Sequence, residues 1–169
     1  METIELTILK NLIHDEEYLR KVLPFLESDY FENPTQKMLF EEINFFAAKY
    51  NCPITIEALG IEVSNRTDIN ESSFKDASIL IDSLSEKVTC EYNWLINTTE
   101  KWCRDRAIYL ALMEAIGIAD GQNSKKTQDA IPSILQDALS VSFDNNIGHD
   151  YLQNYKERYD FYHKKEEKI

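Results

Sequence analysis

The sequence predicts an all-α protein, with a small helical globule over residues 1–90, a helical hairpin over 91–143 and a C-terminal linker helix over 144–169. Three observations carry this. Apolar residues recur every three or four positions through most of the chain, and no stretch alternates convincingly with period two. Apolar residues make up 43% of the chain, enough for one core in 169 residues. Only four Gly and four Pro are present, too few for the many tight turns of an all-β sandwich.

Leu6, Leu9, Leu12 and Ile13 share one face of a first helix over residues 3–13. Asp15 can cap a short second helix that buries Leu19, Val22 and Leu23, and Pro24 ends or bends it. Asn33 followed by Pro34 reads as a cap and first helical position, so a third helix runs to about Tyr50. Its stripe is Leu39, Ile43, Phe46 and Tyr50, widened by Phe40 and Phe45. Thr55 can cap a short helix that Gly60 weakens, and Asn70 one that buries Phe74, Ala77, Ile81 and Leu84.

The hairpin follows. Its first arm, Glu91 to Ala119, carries Leu95, Trp102, Tyr109 and Ile116 at heptad spacing and a second stripe of Ile108, Leu112, Ala115 and Ala119. Gly121 supplies a left-handed stop, and Pro132 sits in the first turn of a second arm, Ile131 to Val141. Two apolar stripes need two coverings. Either the helix is buried all round, or one stripe meets another polypeptide, most simply a second copy of the chain. On the second reading the self-association residues are Ile108, Leu112, Ala115, Ile116 and Ala119 with Ile134, Leu135 and Leu139 of the return arm.

After the turn-rich break SFDNNIGHD, the last segment spaces Tyr151, Tyr155, Tyr159 and Tyr162 helically beside Leu152 and Phe161, with acids and bases alternating opposite. Such a helix either folds back on the core or docks on a neighbour. The break before it and the uncapped KKEEKI end favour docking through Tyr151, Leu152, Tyr155, Tyr159 and Tyr162, and predict a protein that continues beyond Ile169.

The net charge is −12, and it is uneven: from Gly148 onward five acids cancel five bases, so residues 1–147 hold the whole excess. An acidic body repels phosphate, which predicts weak or no DNA binding and makes basic proteins the better electrostatic partners. Three cysteines at no metal-ligand spacing, no cationic leader and no long apolar run predict a soluble, cytoplasmic protein with free thiols and no membrane contact. The four glycines form no phosphate loop, and His14, His149 and His163 stand apart, so no cofactor or metal is expected within these residues. The carboxylate pairs Glu16–Glu17 and Glu41–Glu42 are consecutive and do not converge, which leaves no catalytic set. Lys101, Arg104 and Arg106 lie among Glu100 and Asp105 and read as ion-pair partners rather than a nucleic-acid patch.

Several segments resemble the amino-terminal domain of DnaB-type hexameric replicative DNA helicases, in the T-even-like bacteriophage branch. ILKNLIHDEEYLRKVLPFLESDYFE is similar to the opening helices and their Asp-Tyr-Phe turn, and QKMLFEEINFFAAKYNCPITIEAL to the helix and the Pro-x-x-x-x-x-Ala-Leu element that follow. TTEKWCRDRAIYLA resembles the start of the hairpin, and AIPSILQDALSVSFDNNIGHDYLQNYKERYDFY its exit and linker. Between them the loop from Gly121 to Asp129 is shorter than in those relatives.

The resemblance implies hairpins that pair into dimers, a trimer of dimers as a collar, primase docking on that collar, and a linker helix reaching a neighbouring motor domain. ATP and Mg would bind in that RecA-like motor, beyond Ile169, in an infected bacterial host's cytoplasm. The ATP-dependent helicase activity would then belong to the intact protein. A reading from another class is a free-standing acidic adaptor that imitates DNA on a basic host protein. The two separate on whether the reading frame continues into a Gly-Lys-Ser/Thr loop.

Overall fold

The computed structural model describes residues 2–123 and 125–143, and it is all-α, with no strand among them. Seven helices are seen: α1 (Ile4–His14), α2 (Glu16–Val22), α3 (Pro34–Tyr50), α4 (Ile56–Ser64), α5 (Glu71–Ser83), α6 (Tyr92–Ala119) and α7 (Ile131–Leu139). Short 3-10 turns lie at Leu23–Phe25, Ser28–Tyr30 and Gln128–Ala130. The segment expected to form the linker helix, with Tyr151, Leu152, Tyr155, Tyr159 and Tyr162, lies outside the described residues.

Helix starts follow from local chemistry. The first amides of a helix lack intrahelical acceptors, and short polar side chains supply them. Thr3 Oγ1 accepts from the Leu6 amide, Asp15 Oδ1 from Tyr18, Thr55 Oγ1 from Ala58 and Asn70 Oδ1 from Ser73. Asn33 Oδ1 accepts from both Thr35 and Gln36, with Pro34 at the first helical position where no amide is missed. Pro24 turns the end of α2 into a 3-10 segment.

The core is built from α1, α2, α3 and the inner faces of α4 and α5. Ile8, Leu9, Leu12, Leu19, Leu39, Phe40, Ile43, Leu59, Ala77 and Leu84 are buried in one cluster. His14 Nε2 donates to the Leu84 carbonyl at 2.8 Å, tying the end of α1 to the cap of α5. Three expectations fail. Phe45 and Tyr50 point outward from α3, where Met38 and Ala47 join the buried face instead. Phe74 on α5 stays exposed, because that helix buries only Ala77 and Ile81 along its length. The second arm stops at Leu139, with Ser140 as its cap, two residues before Val141.

The cluster does not end at residue 90. Leu95, Trp102 and Cys103 of α6 belong to it, and so does Phe143, which stacks on Phe25 at 4.5 Å between ring centroids.

Candidate interaction surface

Helix α6 positions everything that follows. Glu91 caps it, its carboxylate accepting from the Asn93 and Trp94 amides at 3.1 and 2.6 Å. Its 28 residues make a rod of about 42 Å at 1.5 Å per residue, longer than the globule can cover.

The first half of the rod is built into the globule. Thr99 Oγ1 lies 2.7 Å from both the Leu95 carbonyl and the Tyr18 hydroxyl. Its single proton goes to the carbonyl, which leaves a lone pair for the Tyr18 O–H. Burial pushes the Tyr18 phenol well above its ordinary range, so it remains a neutral donor. Trp102 packs against Phe31 and Tyr30 at 5.0 and 6.0 Å, and its Nε1 donates to Glu5 at 3.2 Å. Burial, with the charges of Glu100 and Glu27, raises the Cys103 thiol to about 12, so this cysteine is inert packing. Arg106 adds polar ties: it donates to the Tyr30 carbonyl at 2.7 Å and to Glu32 at 2.9 Å, and its guanidinium lies 4.9 Å from the Tyr109 ring centroid.

Beyond Arg106, Ala107 and Leu110 still pack on the core cluster, and α7 with the Gln128–Ala130 turn accompanies the rest of the rod. Gly121, at φ +75°, closes α6 with two bonds: the Gln122 amide to the Gly117 carbonyl at 2.9 Å and the Gly121 amide to Ile118 at 3.1 Å. The arms pack on each other and bury Ala111 and Ile118 of α6 and Ala138 of α7. Lys126 pairs with Glu114 at 2.7 Å near the tip. At the base Arg104 donates to the Val141 carbonyl at 3.0 Å, and Glu100 accepts the Phe143 amide at 2.7 Å, fastening the return arm to the globule.

The heptad stripe therefore has two environments. Leu95 and Trp102 are 1% and 8% exposed, whereas Tyr109 and Ile116 are 49% and 53% exposed. Leu112 and Met113 lie between the latter two and are about half exposed. Tyr109, Leu112, Met113 and Ile116 thus form a continuous apolar face at spacings of three, one and three, on the side away from Ala111.

The eight residues expected for self-association divide. Ile108 and Ala115, one turn either side of Ala111, and Ile134 and Leu135, one turn before Ala138, are half-buried by the hairpin itself. Leu112, Ile116, Ala119 and Leu139 are exposed. Met113, four residues after Tyr109 and three before Ile116, joins the exposed face although it lies outside both predicted stripes. Lys101, Arg104 and Arg106 are engaged with Asp105, Glu100 and Glu32, the last pair spanning 74 positions of the chain. No cluster of three or more His, Cys, Asp or Glu side chains suited to a metal ion is found among the described residues. No helix among them is long and apolar enough to cross a membrane.

No protein-family model matches the chain. Over 170 aligned positions and 96% of its length it is 33% identical to a DnaB-like replicative helicase of Enterobacteria phage T4, and it spans 35% of that protein's length. The chain is thus similar to about a third of a phage protein described as a DnaB-like replicative helicase, the family that its opening helices, hairpin start and hairpin exit resemble.

Proposed function

We propose that this chain is the amino-terminal oligomerisation and primase-docking part of a phage replicative DNA helicase that unwinds duplex DNA at the fork. Its likeness to a protein described as a replicative helicase supports the setting. The observation that carries the mechanical role is the uncovered half of the heptad stripe: Tyr109, Leu112, Met113 and Ile116.

In this reading residues 1–90 form the globule, 91–143 the dimerising hairpin and 144–169 a linker to a neighbouring subunit's motor. Hairpins pair face to face and three dimers close a collar. ATP and Mg act in the motor, and the acidic collar meets primase rather than DNA. Covering a Leu, Ile, Met or aromatic side chain contributes about 1.5–3 kcal/mol in full, so the exposed halves of four contribute about 3–6 kcal/mol per protomer. Two protomers together contribute about 6–12 kcal/mol, comparable with the association cost of about 4–15 kcal/mol. The hairpin contact alone therefore makes a concentration-dependent dimer that the rest of a ring would secure.

Light scattering across a concentration series tests this. The wild-type chain rises toward dimer mass, and Leu112→Asp with Ile116→Asp holds it at monomer mass with unchanged helical circular dichroism. Equal masses for the two proteins at every concentration would sink the hairpin assignment.

A further inference from the structure

Arg106 ties the exposed face of α6 to the globule. Its side chain is 14% exposed, and its guanidinium makes three contacts in three directions. Nε donates to the Tyr30 carbonyl at 2.7 Å, Nη1 donates to Glu32 at 2.9 Å, and the guanidinium carbon lies 4.9 Å from the Tyr109 ring centroid. The first two partners belong to the globule and the third to the hairpin.

The acceptor side is rigid. Tyr30 closes the turn Ser28–Tyr30 and its ring is buried against Trp102 at 6.0 Å, while Phe31 beside it stacks on Phe40 at 5.1 Å. A planar guanidinium with two donors engaged in this way is held in one plane, where an ammonium on a flexible stem would not be. Helical side chains lean toward the N-terminus, so the Tyr109 ring, three residues on, leans toward this plate. With one ring face over the guanidinium, the 49% exposure of Tyr109 is left to its edge and other face.

We infer that Arg106 couples the globule to the pairing face: seated on the Tyr30 carbonyl and Glu32, it holds the Tyr109 ring in the pose in which that ring meets a second copy of the chain. This coupling rests on the hairpin pairing proposed above and sets its strength. A ring already held in one pose loses less freedom on docking. Covering the ring also removes water from its contact with the guanidinium, and such contacts strengthen as they are desolvated. Pairing and the Arg106 contacts therefore favour each other. By reciprocity a change at Glu32, whose side chain is 74% exposed, is felt at the paired face. Arg106 is thus a positioning residue that acts through Tyr109.

Sedimentation equilibrium of the 169-residue chain measures the dimer dissociation constant in a double-mutant cycle. Arg106→Gln raises it about tenfold, roughly threefold for each of the two copies. Glu32→Gln raises it about two- to threefold. In a Tyr109→Leu background the face stays apolar but the ring is gone, and neither change moves the constant by more than about twofold. Tyr109→Phe keeps the full dependence. A purely structural role for Arg106 would give the same shift whichever residue stands at position 109, and that result overturns the coupling. So does an unchanged constant in Arg106→Gln. Where Arg106→Gln loses helical circular dichroism, the exposed Glu32→Gln carries the same cycle. Leu112→Asp with Ile116→Asp separates the two readings: monomer mass in that variant keeps the hairpin pairing standing whatever the cycle gives, whereas a wild-type chain that is monomeric at every concentration overturns both.

Discussion

The two halves of α6 carry the same heptad pattern and do different work. From Leu95 to Arg106 the stripe is enclosed: Trp102 meets aromatic rings and a carboxylate, and Thr99 satisfies a buried phenol. From Tyr109 to Ile116 the same face is about half exposed, with the Arg106 guanidinium over the Tyr109 ring, and the opposite side is covered by α7. Periodicity records which side of a helix is apolar. What covers that side is decided by the length of the rod against the size of the globule, and here the rod outruns it.

That contrast is sharpest in a pair of truncations. Trp102→Ala should cost about 3–5 kcal/mol of unfolding free energy, since it removes a buried aromatic and leaves a cavity beside Phe31. Ile116→Ala at matched low concentration should cost no more than about 0.5 kcal/mol, as expected of an exposed site. Urea midpoints measure both. Equal costs would mean that the outer half is packed as tightly as the inner one, and the division of α6 would be lost.

Alkaline pH attacks the enclosed half selectively. Burial and the Glu27 charge raise the Tyr30 phenol from 10.0 to about 12. The unfolded chain releases this proton first, so the stability tied to Tyr30 is complete below pH 10 and is lost as the pH rises through about 12. Tyr18, raised in the same direction by burial, adds to the loss. The decline should be on the order of 2 kcal/mol for Tyr30, and Tyr30→Phe should flatten that share of it in melting curves taken from pH 9 upward. A Tyr30→Phe curve that follows the wild type would show that the phenol ionises equally well in both states.

Much of the helical framework is legible in the sequence because its signals are local. Asn33, Thr55 and Asn70 act within three residues of themselves, and Gly121 needs only its own backbone conformation. Coverage is not local. Phe45 and Phe74 sit in apolar periods yet face outward, because smaller neighbours, Ala47 and Ala77, allow the helices to approach and take the inner positions. Phe143 shows the converse: one aromatic in a polar run has no period to announce it, yet its ring lies on Phe25 and its amide on Glu100. The exposed stripe was half legible. Spacing alone singles out Leu112 and Ile116 of the exposed face but not Met113, and it does not reveal that Ile108 and Ala115 are half-buried. The expected linker tyrosines fall outside the described residues.

The smallest effect concerns what holds the outer half together. Away from the globule the hairpin has the packing of α6 on α7 that buries Ala111, Ile118 and Ala138, the turn at Gly121 and the Lys126–Glu114 pair. That pair is substantially exposed, so its loss in Lys126→Ala should cost about 0.2–1 kcal/mol at low salt. At about 1 M salt, where screening acts over roughly 3 Å, the difference from wild type should vanish. The Arg104 and Glu100 ties at the base engage a part-buried segment that ends in the buried Phe143, so Arg104→Ala should retain most of its cost at the same salt concentration. Hydrogen exchange of the α7 amides reads both: a salt-sensitive tip and a salt-resistant base are expected of an arm anchored only at one end. Equal salt sensitivity at the two ends would mean that Phe143 and its neighbours do not fasten the return arm, and that the hairpin is held along its length by the arms alone.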